Sequence, residues 1–304
     1  MPFQFNEETL LLITTPLYAA IIGTEMLASH WLKRNYYSWQ ETLLNVYLTL
    51  LNAGLDLLFR AIYLFGVLYW CYEHRLGGLT PGTWYYWVLL FIGEDFFFYL
   101  EHRVDHYCRV FWAVHVTHHS SEEYNLTTGF RSSVFQPLYR FVYFIPLALA
   151  GFRPADIVLM FSATQIYGIL VHTQFIQKMP RWFEWVFVSP AHHRVHHASN
   201  IVYLDKNMGM CLIIWDRLLG TYQEELPEEP VRYGLTKPLD HPHHPVHIIT
   251  HEWKAIGADL KRAPTWTAKL SYLLMPPGWS HDGSTQTSKE LRDRLYAENK
   301  KPGY

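Results

Sequence analysis

The sequence predicts an all-α fold, an integral membrane helix bundle closed on one side by a helical cap. Three observations carry this. Five long apolar stretches occupy the first 177 residues. Trp and Tyr gather at their ends (Trp31, Tyr36, Tyr37, Trp70, Tyr72, Trp84 to Trp87), as side chains do at a bilayer interface. From about Lys178 the chain turns to Pro, His and charge, which reads as a soluble part folded against the membrane helices.

The stretches run from Thr9 to Leu32, Leu43 to Tyr72, Trp84 to Leu100, Val134 to Phe152 and Ala155 to Gln177. The last has no Asp, Glu, Lys or Arg from Ile157 onward and meets the length needed to cross a hydrocarbon core of about 30 Å. The others carry charges, among them Glu25, Glu94, Asp95 and Arg140. Asp56 and Arg60 stand four apart, so on a helix they share a face and neutralise one another. About four or five crossings follow, within a single domain over 1–304. Its parts are N-terminal membrane helices to about 83, a histidine-rich region over 84–235 and a polar C-terminal tail over 236–304.

Composition narrows the function. The chain has 304 residues, of which 17% are charged and 17% aromatic, with a formal net charge of −2. The charged share falls well below the roughly 25% of an average soluble domain. A disordered chain and a nucleic-acid binder working through a basic surface are excluded. Three separated cysteines encode no disulfide framework.

Eighteen histidines are the unusual feature, and ten of them fall into four groups. His102 and His106 follow the third apolar stretch in HRVDH. His115, His118 and His119 stand in HVTHH, and His172 closes the fifth stretch. His192, His193, His196 and His197 stand in HHRVHH. If the last three stretches each cross once, all four groups emerge on one membrane face. Arg103, Arg109, Arg131, Lys178, Arg181, Arg194, Lys206 and Arg217 lie on that side, against Arg75 and Arg153 on the other. The bias of basic residues towards the inside then makes it the cytosolic face of a multi-pass protein.

The spacing predicts a metal centre in the cap. His102 and His106 are one helical turn apart and grip one ion together. In each HxxHH the first two histidines are a turn apart and the third faces a neighbouring direction, an arrangement suited to ligands divided between adjacent metals. Imidazole favours Fe, Zn, Cu or Ni. Eight to ten ligand nitrogens exceed the need of one ion, so a dimetal site is implied. Glu94, Asp95, Glu101 and Asp105 are placed to accept the free ring N–H of the first ligands; for Asp105 an exposed helix face is the other reading. Asp205 and Asn207 follow the last cluster and either orient it or form a turn. His241, His243, His244, His247 and His251, broken by prolines, read as a surface loop, with adventitious metal binding second. Glu122, Glu123, Asn125 and Arg131 either contact a polar head group or cap helices.

HRVDH, HVTHH and HHRVHH, in this order around apolar helices, resemble the fatty acid hydroxylase and sterol desaturase superfamily. The resemblance spans roughly Phe91 to Leu235. THHSSEEYNLTTGFRSS, and the run from SPAHHRVHH to LIIWDRLLGTY, are most similar to its ether-lipid-cleaving, alkylglycerol monooxygenase branch. The resemblance implies a membrane-bound di-iron oxygenase, with two Fe ions (Zn as a substitute), O2 and an external reductant, either an electron-donor protein or a reduced pterin. Its substrate would be a lipid from the bilayer. The family's ligand positions fall on His102, His106, His115, His118, His119, His193, His196 and His197; His172 matches its isolated histidine, and His192 is a further candidate. Tyr107 stands where the ether-lipid branch carries Glu. A sterol desaturase or a fatty acyl hydroxylase of the same superfamily is the alternative. A zinc-dependent membrane hydrolase would need fewer ligands and a general base, and nothing like HExxH is present. A metal transporter would set its histidines along a path inside the bilayer.

Overall fold

The computed structural model describes residues 6–299. Among them there is no β-strand, and helices account for the architecture. Helix α1 (Glu7–Trp31) starts on Asn6, whose side chain accepts the Thr9 N–H at 3.0 Å. Helix α2 (Trp39–Glu73) starts on Ser38 and widens into π turns over Tyr63–Leu68. These two are long and apolar enough to cross a membrane. At 1.5 Å per residue the 35 residues of α2 extend about 52 Å, well beyond a hydrocarbon core. Its first turns stand beside the cap, where Glu41, Asn45 and Asn52 are buried.

Helix α3 (Trp84–Tyr107) continues from the third apolar stretch into the first histidine motif. Glu94, Asp95, Glu101 and Asp105 on it are fully buried. The fourth stretch is not the single crossing expected. It forms short 3₁₀ turns at Gln136–Leu138 and Arg140–Phe144, then helix α5 after α4 (Arg109–His119), with α5 only Ile145–Ala150. Pro137 and Pro146 each lack the N–H that a continuous helix needs. Arg140 turns inward toward Glu101 (3.9 Å) and Asp56 (3.8 Å). The chain then reverses at Gly151, whose φ of 104° and closeness to the Gly77 carbonyl leave no room for a side chain. Helix α6 (Pro154–Leu170) has 17 residues, about 25 Å, and ends before the expected Gln177. Leu68, Tyr86, Leu90, Phe141, Phe144, Ile157 and Phe161 form the core between α2, α3, α5 and α6.

The rest of the chain forms the cap: α7 (Arg181–Val186), α8 (Pro190–His196), α9 (Ile214–Leu219), α10 (Pro245–Arg262), α11 (Trp266–Leu274) and α12 (Ser288–Asn299). The segment expected as a polar tail is therefore helical. Of the expected histidine-rich surface loop, His241, His243 and His244 are exposed in a turn before α10, while His247 and His251 lie on α10, where His244 accepts the His247 N–H as N-cap. Ile248 and Ile256 give α10 its buried face, and Arg109 of α4 pairs with its Glu252 and Asp259, both at 2.7 Å.

Two ionic knots tie the membrane helices to the cap and to each other. Asp56 and Arg60 pair at 2.6 Å as their spacing predicts, and Arg60 also meets Glu7 of α1. Arg131 is wholly buried; it donates to Glu41 Oε2 and Asn45 Oδ1 on α2 (both 2.9 Å) and to Thr117 O at the end of α4. Removing one partner of a buried pair strands the other charge. Arg131→Met is expected to lower stability by on the order of 3–5 kcal/mol. A drop in the unfolding midpoint in detergent checks this, and an unchanged midpoint contradicts it.

Candidate metal centre

Four segments deliver the histidines. The last turns of α3 carry His102 and His106, α4 carries His115, His118 and His119, the chain after α6 carries His172, and α8 with its C-cap carries His193, His196 and His197. Their ring nitrogens converge on two points. His102, His106, His115, His119 and His196 form one group; His118, His172, His193 and His197 form the other. Within each group the donor atoms lie within 4.8 Å of one another.

The division follows from helix geometry but differs from the expected one. At about 100° per residue, position i+4 lies about 40° round from i, while i+3 lies about 60° round the other way. So His115 and His119 serve one group and His118, between them in sequence, serves the other. In the second motif the roles invert: His193 and His197 go together and His196 crosses over. The groups are in contact, with the His119 and His197 rings stacked at 4.5 Å and the His193 and His196 rings stacked at 5.2 Å.

Hydrogen bonds fix which nitrogen faces inward. The Nδ1–H of His102 donates to Met208 O (2.8 Å), that of His118 to Arg131 O (2.9 Å), that of His172 to Gly168 O (2.7 Å) and that of His196 to Lys206 O (3.0 Å). A carbonyl only accepts, so each Nε2 is left as a lone pair aimed at the centre. His106 Nδ1 is held by Asp205 Oδ1 at 3.2 Å. His106 Nε2, His196 Nε2 and His193 Nδ1 are buried without a hydrogen-bond partner among the described residues. The Nε2 of His115 lies 3.1 Å from that of His102 and 3.2 Å from that of His119; the Nε2 of His172 lies 3.0 Å from those of His193 and His197. Ligands at right angles on an ion with metal–nitrogen bonds of about 2.1 Å are about 3.0 Å apart. The donor set, its spacing and its unpaired nitrogens all fit two metal ions.

Burial first, and the neighbouring rings next, push His115, His119, His193, His196 and His197 well below the usual imidazole range. Burial pushes His118 down to about 4. The rings are therefore neutral, the state that binds metal.

His192 belongs to neither group. It is the third residue of α8, where its Nδ1 accepts the Ser189 N–H while Ser189 Oγ accepts its own N–H. That reciprocal cap turns the ring away from the centre and toward Tyr222. Asp205 does orient a ligand, but His106 rather than the last cluster. Asn207 holds the His192 carbonyl and Gln223, with a φ of 55° in a turn. Asp105 is not on an exposed face: it is buried against Tyr139 and Gln136, 3.6 Å from His115 Nδ1. Glu101 accepts from Gln136, and Glu94 from Thr164, with no histidine between. Asp95 reaches none either, and instead accepts from Cys211 N, Leu212 N and Trp215 Nε1. Asp216, which the motifs do not single out, accepts from Met208 N, Gly209 N and Thr221 Oγ1. Together these two carboxylates fix the loop whose Met208 carbonyl aligns His102. Arg131 and Asn125 are buried in the fold, Asn125 donating to Tyr36 O, and Glu123 accepts the Ser38 N–H at the start of α2.

Two cavities reach the centre from different sides. One of about 1240 Å³ lies under the cap helices and touches His106, His119, His196 and His197. The other, about 80 Å³, faces the bundle and touches His102, His115, His118, His172 and His193, beside Phe98, Ile169 and Met210.

A helical protein with two membrane-length helices and nine histidines in two touching groups, all but His118 buried, defines a class, that of helical proteins with a paired histidine site. Residues 87–221, which carry all nine, match the model of the fatty acid hydroxylase family, and this histidine-bearing segment belongs to it. The chain is 34% identical to the alkylglycerol monooxygenase of Homo sapiens over 273 residues, 87% of this chain and 59% of the relative. It is 34% identical to that of Xenopus tropicalis over 250 residues, 80% of this chain and 55% of the relative. An ornithine lipid hydroxylase of Rhizobium tropici is 30% identical over 152 residues, 49% of this chain and 45% of the relative. The chain thus spans less than two thirds of the length of these curated relatives. No solved structure matches it.

Two outcomes follow. His118→Ala and His196→Ala, one from each group, are expected to lower bound metal from two ions per chain towards one, while His192→Ala keeps both; metal analysis of membrane-extracted protein checks this. Because the folded rings refuse protons that an unfolded chain accepts near pH 6.5, the unfolded state binds more protons below that pH. Stability of the metal-free protein is then complete above about pH 6.5 and is lost as pH falls towards 4. An unfolding midpoint that holds or rises from pH 7 to pH 5 contradicts the assignment.

Proposed function

We propose that this protein is a multi-pass membrane di-iron oxygenase that hydroxylates a C–H bond of a lipid, with the centre on the cytosolic side. The observation that carries the reading is the pair of interleaved histidine groups with unpaired lone pairs, on a chain similar to named lipid hydroxylases. His102, His106, His115, His119 and His196 would hold one ion and His118, His172, His193 and His197 the other. Such a centre supplies dioxygen activation, so that one oxygen atom enters a C–H bond and the other leaves as water, with two electrons and two protons from outside. Zinc can occupy the same nitrogens without supplying that redox chemistry.

The chain's own part is position and exclusion. Backbone carbonyls hold the rings in one orientation, so the centre does not reorganise around its ions. The bundle-side cavity has room for a few groups of methylene size beside Phe98, Ile169 and Met210. It admits a stretch of alkyl chain and excludes a head group, which stays toward the bilayer face. The wide cap cavity leaves the opposite side of the centre for an external reductant, an electron-donor protein or a reduced pterin. Similarity to alkylglycerol monooxygenases supports an ether lipid as substrate. Hydroxylation of the carbon beside the ether oxygen gives a hemiacetal, which breaks into an aldehyde and a glycerol lipid.

The test offers purified iron-loaded protein an alkylglycerol, a free fatty acid and a sterol, each with a reducing system. Oxygen uptake with aldehyde release from the alkylglycerol is expected. Oxidation of the sterol alone overturns the ether-lipid reading, and zinc content with no oxygen uptake from any lipid overturns the oxygenase.

A further inference from the structure

Eight of the nine histidines are buried and His118 is nearly so; their ions must therefore arrive by a path that a hydrated cation can follow. The bundle-side cavity is small, about 80 Å³. The cap cavity is wide, and its floor is formed by His106, His119, His196 and His197, with Asp205 beside His106. The wall of that same cavity carries His247 and His251 of α10. They are one helical turn apart with ring centroids at 5.9 Å, and the His241 ring lies 5.4 Å from that of His247. His251 donates its Nδ1–H to Ile248 O, which leaves its Nε2 as a free lone pair. These rings are part-exposed or exposed, whereas the histidines of the floor are sealed.

We propose that the cap cavity is the loading route of the metal centre, and that His247 and His251, helped by His241, form a separate exchangeable site that first captures a divalent first-row metal. A pair at i and i+4 binds such ions through two imidazoles and keeps water in the other positions, which makes it weaker and faster than the buried groups. An ion held at the wall is then confined to the volume that ends on the four floor histidines. The inference rests on the dimetal reading of those groups. It assigns work to the histidine-rich run that the centre itself leaves idle.

The experiment uses the full chain in detergent, freed of metal by chelation and then titrated with Co(II), whose absorption reports nitrogen ligation. The wild type is expected to bind two ions tightly and a third more weakly. His247→Gln/His251→Gln should lose the third alone, keep the final two, and fill them about tenfold more slowly when Co(II) is limiting. Because the readouts are stoichiometry and filling rate, neither depends on lipid oxidation. Loss of the third ion with an unchanged filling rate means an adventitious surface site and overturns the route, and so does a double variant that still binds three. A wild type that binds only the weak ion shows instead that the dimetal reading fails, and the route falls with it.

Discussion

The rest of the structure depends on one property of imidazole: a nitrogen that donates to a carbonyl leaves the other as a lone pair. Four backbone carbonyls, at Met208, Arg131, Gly168 and Lys206, fix four rings this way, and each belongs to a different local structure. To hold the rings, the fold must hold the carbonyls. Asp95 and Asp216 fix the Met208 loop from opposite ends, and the guanidinium of Arg131 fixes the end of α4 while its own carbonyl takes His118. Gly168 is small as well, and a Cβ there would meet the Met210 thioether. The outer layer is therefore largely backbone, positioned by buried charge, and not the row of carboxylates on ligating rings that the acidic residues of α3 suggest.

That constraint also gives a role to the few charged residues on the two membrane-length helices. An apolar contact lets two helices slide by a fraction of a turn, whereas a buried ion pair does not. The Arg131–Glu41 and Arg60–Glu7 pairs join α2 to the cap and to α1 at defined heights. The length of α2 beyond a bilayer is then a requirement, because its first turns must reach the level of the centre.

Much of the site was legible because metal ligation needs close repeats of one residue type, and such repeats survive in a linear sequence. Nine of the ten candidate histidines converge. His192 was not separable by spacing, since His192 and His196 stand four apart just as His193 and His197 do. Only the cap formed with Ser189 distinguishes it. The partition of each HxxHH differs from the expected one because i+3 and i+4 fall on opposite sides of position i, and the first histidine joins the third and not the second. Asp216 carried no signal, because its partners Met208, Gly209 and Thr221 become close only after the loop folds back. Hydropathy averaged over Val134–Phe152 concealed the two prolines that break it, and polarity over the C-terminal part concealed the spaced Ile248 and Ile256 that make α10 amphipathic.

The two cavities give the arrangement its direction. Each touches both histidine groups, so neither ion has a private side. What differs is the medium. The bundle side offers a narrow space where Phe98, Ile169 and Met210 stand among histidines, Gln136, Arg140 and Gln165. The cap side offers a wide space with charged walls, where polar molecules and ions stay hydrated. On the proposed function, a reaction that takes its carbon from the bilayer and its electrons from water has the two spaces meeting at one centre. Nine imidazoles in two touching groups, eight of them buried, stand between the two cavities at the end of the bundle.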